Sequence, residues 1–153
     1  MCTSERQNFM AEKFLNDSVQ LKKQIDNWIM LGALDKTPGL TGDSLTAIFK
    51  QLTTSIDKIK AKGGKVIFVR TPSSGGYWET EKIAYPREKY WDAMLTYTNT
   101  PGIHFKDYSK IASFICPEWS HLAPQDVIVF TKSLIRILEQ DKGWTFPNKS
   151  ISH

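Results

Sequence analysis

The segment Glu118-Trp119-Ser120-His121-Leu122 holds the residue types with which a hydrolase does acid–base work. A carboxylate three residues before an imidazole, on the loop that enters the last helical run, can fold back to one ring nitrogen. That contact holds the tautomer and the orientation, and it leaves the other nitrogen to take a proton from a nucleophile. Two of three catalytic groups then need no long-range assembly. The same spacing has a plainer meaning too: Glu118 caps the final helix, and His121 lies on the surface or at the rim of the core.

Other side chains invite a role beside this pair. Arg70 ends an apolar run, where it either binds an anionic substrate or pairs with an acidic neighbour such as Glu118. Tyr77, Trp78, Tyr90, Trp91 and Trp119 fall around the same loops. Aromatic rings there stack on sugars, hold an acyl group, or simply pack at the core rim. Ser73 and Ser74 have no activating neighbour in sequence, and His104 sits between apolar residues as a structural histidine would.

The elements that must position these groups follow from periodicity. Ser4 and Gln7 are spaced as a capping box, which predicts a helix from near residue 5 that ends at Gly32 and the 35–39 stretch. Leu45, Ile48, Phe49, Leu52, Ile56 and Ile59 form one apolar stripe, with Thr41 or Asp43 as cap and Gly63-Gly64 as stop. The run 65–70 then reads as a strand buried on both faces, as in a parallel sheet between helices. Its exit, Thr71-Pro72-Ser73-Ser74-Gly75-Gly76, lies where open α/β sheets bind ligands. Residues 77–85 read as irregular, and 87–97 as a short helix after Pro86. Residues 103–105 make a short strand, and 109–116 are mixed. Pro124 to Gln140 form the last helix, with Val127, Phe130, Leu134, Ile137 and Leu138 facing inward. Three parts result: an amino-terminal helical segment 1–40, an α/β part 41–142, and a loose tail 143–153.

Composition narrows the classes. At 153 residues, 41% hydrophobic and 24% charged, the chain has the size and make-up of one globular domain. No apolar run approaches a membrane span, and the amino terminus carries no signal-peptide pattern. The net charge of +4 is mild, and its densest lysines, Lys58, Lys60, Lys62 and Lys65, read as a solvated helix end, not a nucleic-acid footprint. Cys2 and Cys116 make no metal or redox motif, so no metal is expected and the compartment stays undetermined. The triplets at Asn16 and Asn148 match the glycosylation pattern, as many chance triplets do.

From about Leu45 to Leu138 the order of parts resembles the last part of the SGNH (GDSL-type) hydrolases. The matching pieces are the amphipathic helix, the strand ending in proline (65–72), a short strand ending in aspartate (103–107), the 118–122 block, and a helix opened by proline. The resemblance implies a partial three-layer, flavodoxin-like α/β fold with few parallel strands and flanking helices. It also implies a serine esterase or acyl-transfer domain that needs no cofactor and acts on small O-acyl esters, acylated carbohydrate among them. His121 matches the family's base, and Glu118 stands where the family usually has aspartate. Gly42-Asp43-Ser44-Leu45 spells the nucleophile motif, which would make Ser44 the nucleophile. Residues 35–41 before it cannot form a buried strand, however, and Asp43 and Ser44 also suit a helix cap. The glycine and asparagine blocks that supply oxyanion donors in the family have no counterpart here. The expectation is the carboxyl-terminal portion of a larger SGNH-like protein. The alternative is a non-catalytic fragment or interaction module that keeps the scaffold without a nucleophile. Either leaves an open sheet edge, for the amino-terminal helix or a second copy to cover.

Overall fold

The computed structural model describes residues 10–35 and 37–146. The capping box at Ser4 and Gln7, Cys2, the Asn148 triplet and most of the expected tail lie outside the described residues. A short helix α1 (Glu12–Leu15) leads into α2 (Ser18–Leu34). Asp17 caps α2, its carboxylate accepting from the amides of Val19 at 3.0 Å and Gln20 at 3.1 Å. The helix runs through Gly32, contrary to the sequence expectation. One interior glycine costs only about 1 kcal/mol, too little to end it. The stop comes at Asp35, whose carboxylate accepts from the Thr37 amide at 2.9 Å.

Helix α3 (Gly42–Lys60) buries Phe49 and Ile56 from the predicted stripe. Thr41 holds the cap position by backbone alone. At the other end Gly63 is left-handed (φ 78°), and the amides of Gly63 and Gly64 bond back to the carbonyls of Lys60 and Ile59. This is the Schellman arrangement that a Gly-Gly stop makes cheap.

The sheet has two parallel strands, β1 (Phe68–Arg70) and β2 (Gly102–His104), paired Phe68 to Gly102 and Arg70 to His104. The protein is thus mixed α/β, with helices dominant and a minimal sheet. β1 is shorter than the expected 65–70 and is not buried on both faces: Val69 is 38% exposed. The strand also has an open edge. The Phe68 amide bonds to the Pro101 carbonyl, on the β2 side. Backbone groups alternate between edges along a parallel strand, so those of Val69 point away from β2. Among the described residues no third strand meets them.

β2 is the better covered strand. Gly102 meets Trp91 and Leu95 so closely that a Cβ would lie 2.7 Å from Leu95. Ile103, on the opposite face, is buried with Phe105, Ile111, Phe130, Ile137 and Leu138. The first face is supplied by α5 (Ala93–Thr98), entered through one π-helical turn at Glu88–Asp92 and ended by left-handed Asn99. Helix α3 packs on α5, with the Phe49 and Tyr97 rings 5.7 Å apart. The second face is covered by the last helix (Pro124–Gln140), whose bounds match the sequence reading. Val127, expected inward, is 43% exposed; the buried stripe begins at Phe130.

Two more expectations are corrected. Residues 77–85 are not irregular: 77–84 belong to the helix α4 (Gly75–Ala84), numbered before α5 in chain order, and Tyr85 is its C-cap. Polar Thr80, Glu81 and Lys82 masked its period. The tail is not loose at its start: Trp144 packs on the core and its amide bonds to the Leu138 carbonyl at 2.9 Å. Between β2 and the last helix lie a 3-10 turn (Phe105–Asp107) and α6 (Ser109–Ala112), so the last helix is α7.

His104 is 4% exposed, its Nδ1 accepting from the Lys106 amide at 3.2 Å. Burial, then the charge of Arg87, holds its proton affinity below the ordinary value of 6.5. Above that pH both native and unfolded chains are neutral here. Below it the unfolded chain takes a proton that the native state resists, so stability falls. His104→Asn keeps an acceptor for Lys106 and removes the titration. Urea unfolding from pH 7 to pH 5 should therefore show a flatter stability profile in the variant than in the parent chain.

Candidate functional site

Two loops are tied together beyond the carboxyl end of β1. The Ser74 amide donates to the Trp119 carbonyl at 2.9 Å. The Ser74 hydroxyl accepts from the Cys116 amide at 3.0 Å and donates to the Cys116 carbonyl at 3.3 Å. Trp119 takes a left-handed backbone (φ 77°) and lays its indole against Gly75 and Gly76. Gly75 is itself left-handed (φ 56°), and a Cβ there would strike the indole. The glycines after β1 therefore serve close approach, which seats residues 116–121 against the end of the sheet.

The same loop closes on Glu118. The residue is 3% exposed, yet its carboxylate meets four donors. They are the Trp28 indole at 2.7 Å, the Ser120 hydroxyl at 2.9 Å, and the His121 amide and Nδ1 at 2.7 and 2.8 Å. Such donors offset the loss of water around a buried carboxylate. A carboxylate only accepts, so Nδ1 carries the proton. The Ser120 oxygen, 2.7 Å from Nδ1, shares it. Nε2 is then the bare acceptor, with no hydrogen bond among the described residues, on a side chain 71% exposed.

His121 and Ser120 line an open cavity of about 510 Å³ with Trp28, Arg70, Thr71, Ser73, Tyr77, Glu81 and Tyr85. Arg70 pairs with Glu81, Nε to Oε1 at 2.9 Å, rather than with Glu118, and donates to the Ser73 hydroxyl at 2.9 Å. It faces the cavity as half of a neutral pair. Ser44 does not line the cavity. It is exposed in the first turn of α3, a helix that packs against α5. The two serines that do line it, Ser73 and Ser120, are both engaged. Cys116 offers no thiolate, since burial and then Glu118 push its thiol up to about 11.

The structure thus brings Glu118 and His121 together at the end of β1 and leaves Ser44 elsewhere. Sequence reasoning missed Trp28 and Ser120. Ser120 stood inside the motif and was legible as a third polar group. Trp28 was not, because a donor 90 residues away leaves no local trace. Among the aromatic residues singled out, Tyr77 lines this cavity and sits edge-on to Trp28, while Trp78, Tyr90 and Trp91 line a second one. Among the described residues no group of three or more side chains is arranged to hold a metal. No helix among them is long and apolar enough to cross a membrane. No family model, no curated protein and no solved structure matches the chain.

Two substitutions test the packing of this loop. Gly75→Ala adds a Cβ into the indole at a left-handed residue and should cost more than about 1 kcal/mol in chemical unfolding. Trp28→Phe removes one donor from a buried carboxylate and should cost about 1–3 kcal/mol. The ring nitrogen shifts of His121 in NMR should move in Trp28→Phe if α2 helps orient the imidazole, and stay in place if it does not.

Proposed function

We propose that this chain carries the acid–base part of an SGNH-like serine esterase or acyl-transfer site. One observation carries the reading: a buried, fully bonded carboxylate holds Nδ1 of an exposed imidazole at 2.8 Å, with Nε2 unengaged beside a cavity at the carboxyl end of a parallel strand. In that role Nε2 takes a proton from an attacking hydroxyl and returns it to the leaving group, while Glu118 steadies the imidazolium between the two transfers. Ser120 and Trp28 act as positioning residues, through Glu118. Parallel βα order, the open edge at Val69 and the proline-opened last helix are all compatible with the carboxyl-terminal portion of that fold. Small O-acyl esters, those of carbohydrates included, are the substrate class.

The nucleophile is the group this reading has to find. Ser44 is not part of the lining of the cavity, and Ser73 and Ser120 are held by Arg70 and Glu118. These same facts favour the second reading, a scaffold that retains the pair and works as an interaction module. A nucleophile supplied from outside residues 10–146, or by a second copy at the open edge, reconciles the first reading with them.

Hydrolysis of p-nitrophenyl acetate decides between the two. The acid–base reading predicts a rate above His121→Ala by roughly 100-fold or more, the scale of general-base assistance, with Glu118→Gln falling between them. A parent rate equal to that of His121→Ala selects the module. A fluorophosphonate probe adds the identity of the nucleophile: labelling at Ser44 would return that residue to the site.

A further inference from the structure

Helix α4 stands as a ridge between two cavities. Tyr77 and Glu81, one turn apart, face the His121 side. Trp78 and Lys82, the neighbouring stripe, face a second cavity of about 630 Å³, and the two cavities share Arg70, Glu81 and Tyr85 as a wall. The second is of the size that holds a small organic ligand. Its sides are hydrocarbon and ring faces, chiefly Ile48, Leu52, Met94, Trp78 and Trp91.

At its wall lies His104, which is more than nine-tenths buried. Nδ1 is spent as an acceptor for the Lys106 amide, so the ring proton is on Nε2. Among the described residues no nitrogen or oxygen accepts that proton; the rings of Trp78 and Trp91 flank the imidazole at 6.0 and 5.4 Å. Nor is Nε2 sealed off, because no fully enclosed side-chain nitrogen or oxygen among them lacks a partner. The remaining opening for this N–H is the cavity that His104 lines. A donor that reaches the surface only at the cavity is placed to meet a ligand acceptor there.

We propose that the second cavity binds an apolar acyl chain, with the acyl oxygen accepting from Nε2 of His104. The walls argue for a chain over a sugar. Sugar hydroxyls need several polar partners, and the cations of the lining are already taken: Arg70 by Glu81, Arg87 by Asp92 and Asp107, Lys82 by Glu79, and Lys106 by the Ala112 carbonyl. The shared wall would let the chain lie next to the His121 cavity. Only that link to turnover rests on the ester reading above; binding stands on the cavity and His104 alone.

Tryptophan fluorescence tests it, since Trp78 and Trp91 both line the cavity. Octanoate should bind saturably, and each pair of methylenes removed, through hexanoate to butyrate, should weaken binding roughly tenfold. Methyl octanoate run beside octanoate tells an ester carrier from a free acid by which binds tighter. His104→Asn should weaken octanoate about three- to tenfold. Met94→Trp, which fills the cavity from another wall, should abolish binding and serves if His104→Asn fails to fold by circular dichroism. Affinity that ignores chain length, absent saturation, or parent-like binding by a folded variant would overturn the assignment. A p-nitrophenyl acetate rate equal to that of His121→Ala leaves these binding outcomes untouched, so the two proposals fail separately.

Discussion

A carboxylate taken out of water has to be met by donors, and the placement of Glu118 organises the site around that requirement. Its four partners come from three places: the indole of α2, the hydroxyl next to the histidine, and the histidine itself through amide and ring. Removing any of them would leave a buried charge short of a hydrogen bond, a penalty larger than the net worth of the bond. The 118–121 turn is therefore locked, and the imidazole orientation follows from it. Helix α2, which buries no residue of its own fully, is fastened to the rest partly through this contact and through the Trp28–Tyr77 ring pair.

The sheet contributes position more than stability. Two strands of three residues cannot enclose a core between themselves, so the apolar mass lies in helix contacts: α3 on α5, and α7 on the residues from Ile103 to Ile111. What the short ladder does is set direction. Parallel pairing puts the carboxyl ends of β1 and β2 side by side: Arg70, the 71–76 loop and His104 lie at those ends, and the 116–121 loop is tied to the first of them. Among the described residues no strand pairs with the far edge at Val69, and with an exposed apolar side chain beside it that edge is a template for another strand.

Charge is arranged to cancel locally. Arg70 is bonded to Glu81 across the ridge of α4, and Arg87 binds both Asp92 and Asp107, which holds Asp107 below the usual carboxylate range. Both cavities thus have cationic side chains in their walls without a free guanidinium. That is a surface suited to neutral or largely apolar ligands more than to polyanions, in keeping with a net charge of only +4 on the whole chain.

Local chemistry determined much of this protein by itself. The long helices α3 and α7 were legible because apolar stripes at helical spacing and Gly-Gly or proline punctuation are properties of neighbouring residues. The Glu118–His121 spacing was legible for the same reason: a three-residue loop can close on itself. Other features were decided only in three dimensions. Trp28 reaches Glu118 from 90 residues away, and Arg70 finds Glu81 instead of Glu118. Val69 is 38% exposed and, among the described residues, no further strand arrives beside it, although its run of apolar neighbours is what a buried strand would show. Ser44, in a string that spells a nucleophile motif, lies in the first turn of α3 and outside the lining of the cavity. Partners distant in sequence compete for each polar group and each edge, and that competition is settled by packing, which no local window contains.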